Sequence, residues 1–425
     1  MTTARPTSHA GTTLNPARGP SVAEMTWFTS YQDVDEIFKS SNFVQGGGGL
    51  RDSEPFVGHG VLSLSGDDHF ERRRIEAALF RRLALRHYED DVLAISLSES
   101  LGSCARDANG VWRGELIRLL RRALCRVSAT LVGIDGVQTP EAVDAYLSYM
   151  DRLSLGVNIE WAALDHREII RQGLGVKKRF ESEFVDPSLH KRRQLVRDYR
   201  VGKLAAEALP LDLLTLMLLH PGHFEKWDSD VLLRELILFN GAATGTVTMA
   251  VPHIVHELMN WLGAHPEGRV LLGEKSFLKR AVIEGIRLHP ASPYLIRKAN
   301  SRQRLKSGRE VGVGEYVVLD LVKASRDLAV FGADADSYNP HRMPIIKIKP
   351  MGLAFGDGPH TCIGMGMTIG EGAASDEDAP LGMAVFIVRE LFRAGIRLDP
   401  ENPPRWNDAN VRNEYASFPV CFDRP

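Results

Sequence analysis

Phe355-Gly-Asp-Gly-Pro-His-Thr-Cys362-Ile-Gly364 is the most informative stretch of the chain. A cysteine lies among glycines, with His360 two residues before it. Gly356 and Gly358 open backbone geometries closed to other residues, so the loop can bring amides close to the Cys362 sulfur. Amides aimed at a sulfur stabilise the thiolate, the form that binds metal. A lone cysteine is more often a buried structural thiol, but that reading leaves the pattern around it unexplained.

Working outward, Glu284-Gly-Ile-Arg287 places two opposite charges three apart, on one face of a helix. Alone this is a weak signal, because surface pairs at that spacing are common. A further arginine, Arg342, follows in Asn339-Pro-His-Arg342. His69 and Arg73 lie four apart and also share a helix face. Asn240-Gly-Ala-Ala-Thr244-Gly245 interrupts a long apolar helical run with small residues.

The pattern F-G-x-G-x-H-x-C-x-G is matched at every fixed position and resembles the haem-binding loop of the cytochromes P450. The resemblance runs from about residue 26 to 422 and is most specific over 284–364. It implies a mostly α fold: a helical domain with a small β-rich region, and haem b between a distal helix and the Cys362 loop. Cys362 would be the axial ligand to iron, with Phe355, Gly356, His360 and Gly364 around it. His69, Arg73 and Arg297 match the family's propionate-binding positions. Glu284, Arg287 and Arg342 match a structural ion-pair network that holds the cysteine loop.

Asn240 to Gly245 resembles the family's distal motif. Gly241 would leave room for oxygen, Thr244 would donate a hydrogen bond there, and Asn240 would offer one to substrate. Gly245, Pro293, Tyr294 and Leu295 are the candidate pocket residues. The usual acid position is Ala243, so proton delivery departs from the family pattern. Thr246 or Thr248 is an alternative haem-facing residue.

The resemblance implies a monooxygenase that inserts one oxygen atom into an apolar small molecule. Electrons would come from NAD(P)H through a reductase and a ferredoxin or flavodoxin. Peroxygenase, haem-dependent isomerase or dehydratase, and haem-binding partner without turnover stay open as alternatives.

Composition is ordinary for a globular protein, at 44% hydrophobic and 25% charged. A net charge of −2 argues against a nucleic-acid partner. The four cysteines form no CxxC pair, which favours a reducing, cytoplasmic setting. No apolar run is long enough to span a membrane, so no membrane anchor is expected. Residues 1–23 read as a disordered tail and 24–425 as one domain.

Helices are expected at 67–83, 111–133, 140–156, 165–184, 191–207, 230–262, 274–288 and 381–394. A first strand and helix cover 26–44, and β-type runs cover 294–321. The Gly-rich loop 45–61 is short, which predicts an unusually open pocket. The acidic stretch 371–380 interrupts the helix expected after Cys362 and is placed to affect partner choice. Arg72 and Arg74 read as solvated or as part of a basic patch beside the cysteine loop that would suit an acidic ferredoxin or flavodoxin, the run Lys191–Arg200 as a solvated helix face, His253 and His256 as ordinary helix residues, and Cys104, Cys125 and Cys421 as inert thiols.

Overall fold

In the computed structural model, residues 20–224, 230–372, 376 and 378–424 are described. Helices dominate, and two four-stranded sheets flank them. The first sheet takes its strands from distant parts of the chain: β1 (Thr26–Phe28), β2 (Phe43–Gln45), β3 (Tyr294–Ala299) and β4 (Tyr316–Asp320), in the order β1-β4-β3-β2. β1 runs parallel to β4, and the other pairs are antiparallel. The β2–β3 register sets Gln45 opposite Arg297, which matters for the site.

Helix α1 (Tyr31–Lys39) starts where the Ser30 hydroxyl accepts from Asp33 N at 3.2 Å. It ends before Phe43, which belongs to β2 rather than to the helix. Helix α2 (Gly66–Glu76) ends earlier than the expected residue 83 and passes into a 3₁₀ turn. The expected helix 111–133 begins only at Leu116, as α3 (Leu116–Val132). Trp112–Glu115 is instead a strand paired with Pro419–Phe422. Helix α4 (Pro140–Val157) opens on Thr139 as cap with proline at its first position.

The helices expected at 165–184 and 191–207 are one continuous rod. α5 (His166–Phe180) passes through a π-turn, Glu181–Val185, into α6 (Asp186–Arg200). Pro187 sits at the start of α6, where the rod's geometry changes. The long central helix is α7 (Val231–Ala264), 34 residues and about 50 Å. Its expected caps, Asp228 or Ser229, lie outside the described residues. α8 (Lys275–Leu288) and α9 (Met383–Arg393) complete the core. No helix among the described residues is long and apolar enough to cross a membrane.

Two further expectations change. Residues 20–23, expected in the tail, are structured: Ser21 and Glu24 form a capping box, and Pro20 O accepts from Arg51 Nη2 at 2.7 Å. Residues 1–19 lie outside the described residues. The 45–61 loop is not open but packed, with Gly46, Gly47, Gly49, Arg51, Asp52 and Ser53 all buried. Its glycines serve close approach, since a Cβ on Gly46 would lie 2.9 Å from the Arg297 backbone. Glu160 secures the loop by accepting from Gly48 N at 3.2 Å and Ser53 Oγ at 3.1 Å.

Candidate active site

The cysteine loop is closed by its own backbone. Cys362 N donates to Phe355 O at 2.9 Å, and Thr361 N to Gly358 O at 3.1 Å. Gly358 has φ +69°, and a Cβ there would fall 2.2 Å from Phe38 O, so only glycine lets the loop lie against α1. Among the cysteines, Cys362 is exposed whereas Cys104, Cys125 and Cys421 are buried. Burial is nonetheless the largest influence on the Cys362 thiol, raising its pKa, with the Gly364 amide and the Arg73 charge acting to lower it.

Four basic groups surround that loop. Arg297 is buried, donating to Gln45 Oε1 at 2.7 Å and Ile296 O at 3.0 Å and lying over the Phe38 ring. Burial alone lowers its pKa to about 10. Arg73 reaches from α2 to Thr361 O. His69 and His360 stack at 3.8 Å. Burial, reinforced by neighbouring cations, depresses His69 to about 4 and His360 to about 2. None of the four makes an ion pair with a carboxylate among the described residues. Buried guanidinium without an anion is costly, and the donor set fits a ligand that brings carboxylates of its own.

Opposite lies the middle of α7. Its flanks are buried, yet Gly241 through Thr246 are accessible. A Cβ on Gly245 would meet nothing within 4 Å, and one on Gly241 only Val157 at 3.8 Å. Phe80 bridges the two walls, lying 3.7 Å from the Gly364 Cβ position and 6.3 Å between centroids from Phe239 of α7. Thr244 Oγ1 donates to Asn240 O at 2.8 Å. Ala243 packs against the main core and brings no acid.

Two expected pocket residues are placed elsewhere. Asn240 is fully buried, accepting from Tyr146 OH at 2.7 Å and donating to Leu236 O at 3.1 Å, so its amide is spent within the core. Tyr294 packs between Trp27 and Trp161 and donates to Glu160 O at 3.2 Å. Pro293 and Leu295 are half-buried.

Glu284 accepts from Arg287 Nε at 2.7 Å and from Arg342 Nε at 2.9 Å. Arg287 also donates to Ser325 O and Ala335 O and stacks on Phe331. Phe331 in turn lies 2.9 Å from the Gly352 Cβ position, just before the cysteine loop.

Some partners were not visible in the sequence. Arg72, expected to be solvated, is 1% exposed, paired with Glu235 at 3.0 Å and stacked on Phe224. Glu76 lies beside that pair with no donor among the described residues. The i, i+4 spacing of Arg72 and Glu76 was the one available hint. Arg192, in the stretch expected to be solvated, is buried against Asp212 and Asp135. His253 and His256 bond Asn413 O and Tyr415 OH of the C-terminal hairpin.

Past Gly364, the helix Met365–Ile369 stops after five residues. Of the acidic stretch, residues 373–375 and 377 lie outside the described residues. Asp376 pairs with Arg82 at 3.1 Å, and Lys275 Nζ donates to Asp376 O and Ala379 O at 2.8 Å each. The buried Glu89 closes the stretch by accepting from Leu381 N and Gly382 N.

Residues 272–371 match the family model described as Cytochrome P450. P450BioI, solved with an acyl carrier protein bearing hexadec-9Z-enoic acid, superposes with TM-score 0.68 at 17% identity, covering 93% of this chain and 92% of that one. CYP109E1 from Bacillus megaterium, solved with testosterone, gives TM-score 0.66 at 16% identity, covering 94% of each chain. The fold is that of the cytochromes P450. Curated relatives include cytochrome P450 71A20 of Arabidopsis thaliana, 22% identical over 55% of this chain and 50% of that protein. Cytochrome P450 71A27 of the same plant is 26% identical over 34% of this chain and 32% of its own length. The matched stretches thus span half or less of these curated P450s. The matched segment 272–371 contains Glu284, Arg287, Arg297, Arg342 and Cys362. The match of that segment to the P450 model points to haem, and the accessible sulfur with its four basic neighbours, none paired with a carboxylate among the described residues, suits haem's metal and propionates.

Proposed function

We propose that the chain is a cytoplasmic haem-thiolate monooxygenase carrying haem b. It inserts one oxygen atom of O2 into an apolar small organic molecule. Electrons come from NAD(P)H through a reductase and a ferredoxin- or flavodoxin-type partner. The observation that carries this reading is Cys362, an exposed cysteine whose loop is ringed by basic groups without a carboxylate partner among the described residues.

Haem bound there would supply oxygen activation and transfer, with thiolate donation favouring O–O cleavage. The protein's own part is binding, orientation and proton management. The Gly364 amide and Arg73 favour the Cys362 thiolate without outweighing burial, and the charge of a bound metal would complete its deprotonation. Arg73, Arg297, His69 and His360 bind and orient the carboxylates of the group. Gly241 and Gly245 keep the facing surface of α7 free of side chains. Thr244 Oγ1 can release its helix carbonyl and pass a proton to the reacting side. Glu284, Arg287 and Arg342 fix the segment that leads into the cysteine loop.

Ala243 favours a second reading, in which the protein rearranges or dehydrates a substrate without oxygen. A relative named indoleacetaldoxime dehydratase, from Arabidopsis thaliana, is 27% identical over 22% of this chain and 20% of its own length. NADH and oxygen consumption with surrogate redox partners, run beside a peroxide-driven assay, separates the readings. Oxygen-dependent product formation supports the monooxygenase. Turnover of an aldoxime without oxygen supports the dehydratase.

A further inference from the structure

Arg297 is not alone as a buried guanidinium without a carboxylate partner among the described residues. Arg412 is 8% exposed. Its Nε and Nη2 donate to Ala291 O at 2.9 and 2.6 Å, and its Nη1 to Asn158 Oδ1 at 3.0 Å. It also lies over the Trp161 ring. Every one of these partners is neutral, and none belongs to the cysteine loop. Glu414, two residues on, accepts from Asn407 Nδ2 and Asn410 Nδ2 instead. Burial lowers the Arg412 pKa to about 10 despite the Glu414 charge. Burying a cation without a counter-ion is costly.

The position of Arg412 is fixed from several sides. It lies in the turn of the C-terminal hairpin, between the paired strands Arg405–Trp406 and Tyr415–Ser417. Val411 N donates to Trp161 O and Ala163 N to Ala409 O, both at 2.8 Å, which ties the turn to the connector after α4. On the other side Asn413 O accepts from His253 Nε2 of α7 at 2.6 Å. Ala291 leads into Pro293, and Asn158 follows Val157. Val157 is the side chain that a Cβ on Gly241 would meet, at 3.8 Å. The guanidinium is therefore built into the wall beside the accessible stretch of α7. Its hydrogen bonds use three of the five N–H groups of a guanidinium, which leaves one on each Nη. Two N–H are what one carboxylate takes in a bidentate pair.

We propose that Arg412 is a specificity-determining residue that binds a carboxylate of the substrate, so that the class of molecule taken is an apolar organic acid with its apolar body against Gly241 and Gly245. The inference rests on the monooxygenase reading and adds the charge that the substrate carries. Asn158, Ala291 and Trp161 hold the guanidinium in place beforehand, so little side-chain freedom is lost on binding. A charge-assisted pair is about twice as strong as a neutral hydrogen bond. An ester of the same acid keeps the apolar body but leaves the guanidinium without its counter-ion.

The test titrates the haem-loaded protein with matched pairs at neutral pH and fixed ionic strength: dodecanoate against methyl dodecanoate, and phenylbutanoate against methyl phenylbutanoate. Affinity is read from the haem spin-state shift and, independently, from the rise in Tm. The proposal expects the acid of at least one pair to bind the wild type about tenfold or more tightly than its ester. Arg412→Lys should keep a preference for the acid. Arg412→Gln should lose it, by weakening the acid while sparing the ester. A purely structural arginine would weaken acid and ester together, so an unchanged ratio in Arg412→Gln would overturn the proposal. Esters that bind the wild type as tightly as the acids, or acids that move neither signal, would overturn it too. Both of those results stand even where Arg412→Gln does not fold. If the wild-type reduced CO complex lacks the far-red-shifted Soret band, the haem-thiolate reading fails instead, and the Tm comparison still decides on Arg412.

Discussion

Replacing Glu76 with glutamine should stabilise the protein at neutral pH, whereas the same change at Glu235 should damage it. Both carboxyls are fully buried, and one guanidinium, Arg72, lies between α2 and α7 to balance them. Glu235 accepts from Arg72 Nη1 at 3.0 Å and from Val61 N at 3.0 Å, so it is the ionised member. Glu76 has neither donor, and burial together with the Glu235 charge pushes its pKa well above the ordinary 4.5. It is held as a carboxylic acid that donates to Glu235. The folded state therefore binds a proton that the unfolded chain releases above pH 4.5. Stability falls as pH rises past that point, by up to about 1.4 kcal/mol per pH unit while Glu76 keeps its proton. Glutamine donates the same hydrogen bond without that cost. The advantage of Glu76→Gln should thus grow from pH 5.5 to pH 8.

Glu235→Gln instead breaks the buried pair with Arg72 and takes the charged acceptor from Val61 N, which costs about 3–5 kcal/mol. With 425 residues and about 2.1 cal/mol/K of unfolding entropy per residue, that loss lowers Tm by about 3–6 °C. Thermal and urea denaturation of both variants across pH are the assay. Equal losses in the two, or a Glu76→Gln variant that becomes relatively weaker as pH rises, would refute the assignment.

Arg297→Met should hold or raise the Tm of the haem-free protein, because it removes a buried cation with no carboxylate partner. It should also weaken haem retention by about 1.5–3 kcal/mol, roughly 10- to 150-fold, measured as haem transfer to apomyoglobin. Gly358→Ala places a Cβ 2.2 Å from Phe38 O at φ +69°. It should cost at least ~1–2 kcal/mol in backbone strain alone and reduce haem content, read by absorbance and thermal denaturation. Glu89→Ala strips acceptors from Leu381 N and Gly382 N. A urea midpoint shift equivalent to about 1–3 kcal/mol per orphaned amide is expected.

The legible parts of the sequence were those whose physics is local. The Cys362 decapeptide carries its own turn chemistry, and Glu284–Arg287 needs only helical spacing to meet. Helices with local caps, such as Pro140–Val157, fall close to where periodicity puts them. Features that depend on a distant partner did not show. Trp112–Glu115 reads as helix until Pro419–Phe422 pairs with it. Arg72 reads as solvated until Glu235, 163 residues away, meets it. Asn240 sits on a helix buried on most sides, so periodicity could not say that it points to Tyr146 rather than to the pocket. Glycines at 46–49 suggested openness, but they are there because neighbouring backbone and Glu160 come too close for any side chain.

The central claim is that Cys362 ligates haem iron as a thiolate. The direct measurement is the absorbance spectrum of the reduced, CO-bound protein, with Cys362→Ser beside the wild type. The account predicts a far-red-shifted Soret band in the wild type and its loss in Cys362→Ser. A wild-type complex without that band, or a Cys362→Ser variant that keeps it, would contradict the account.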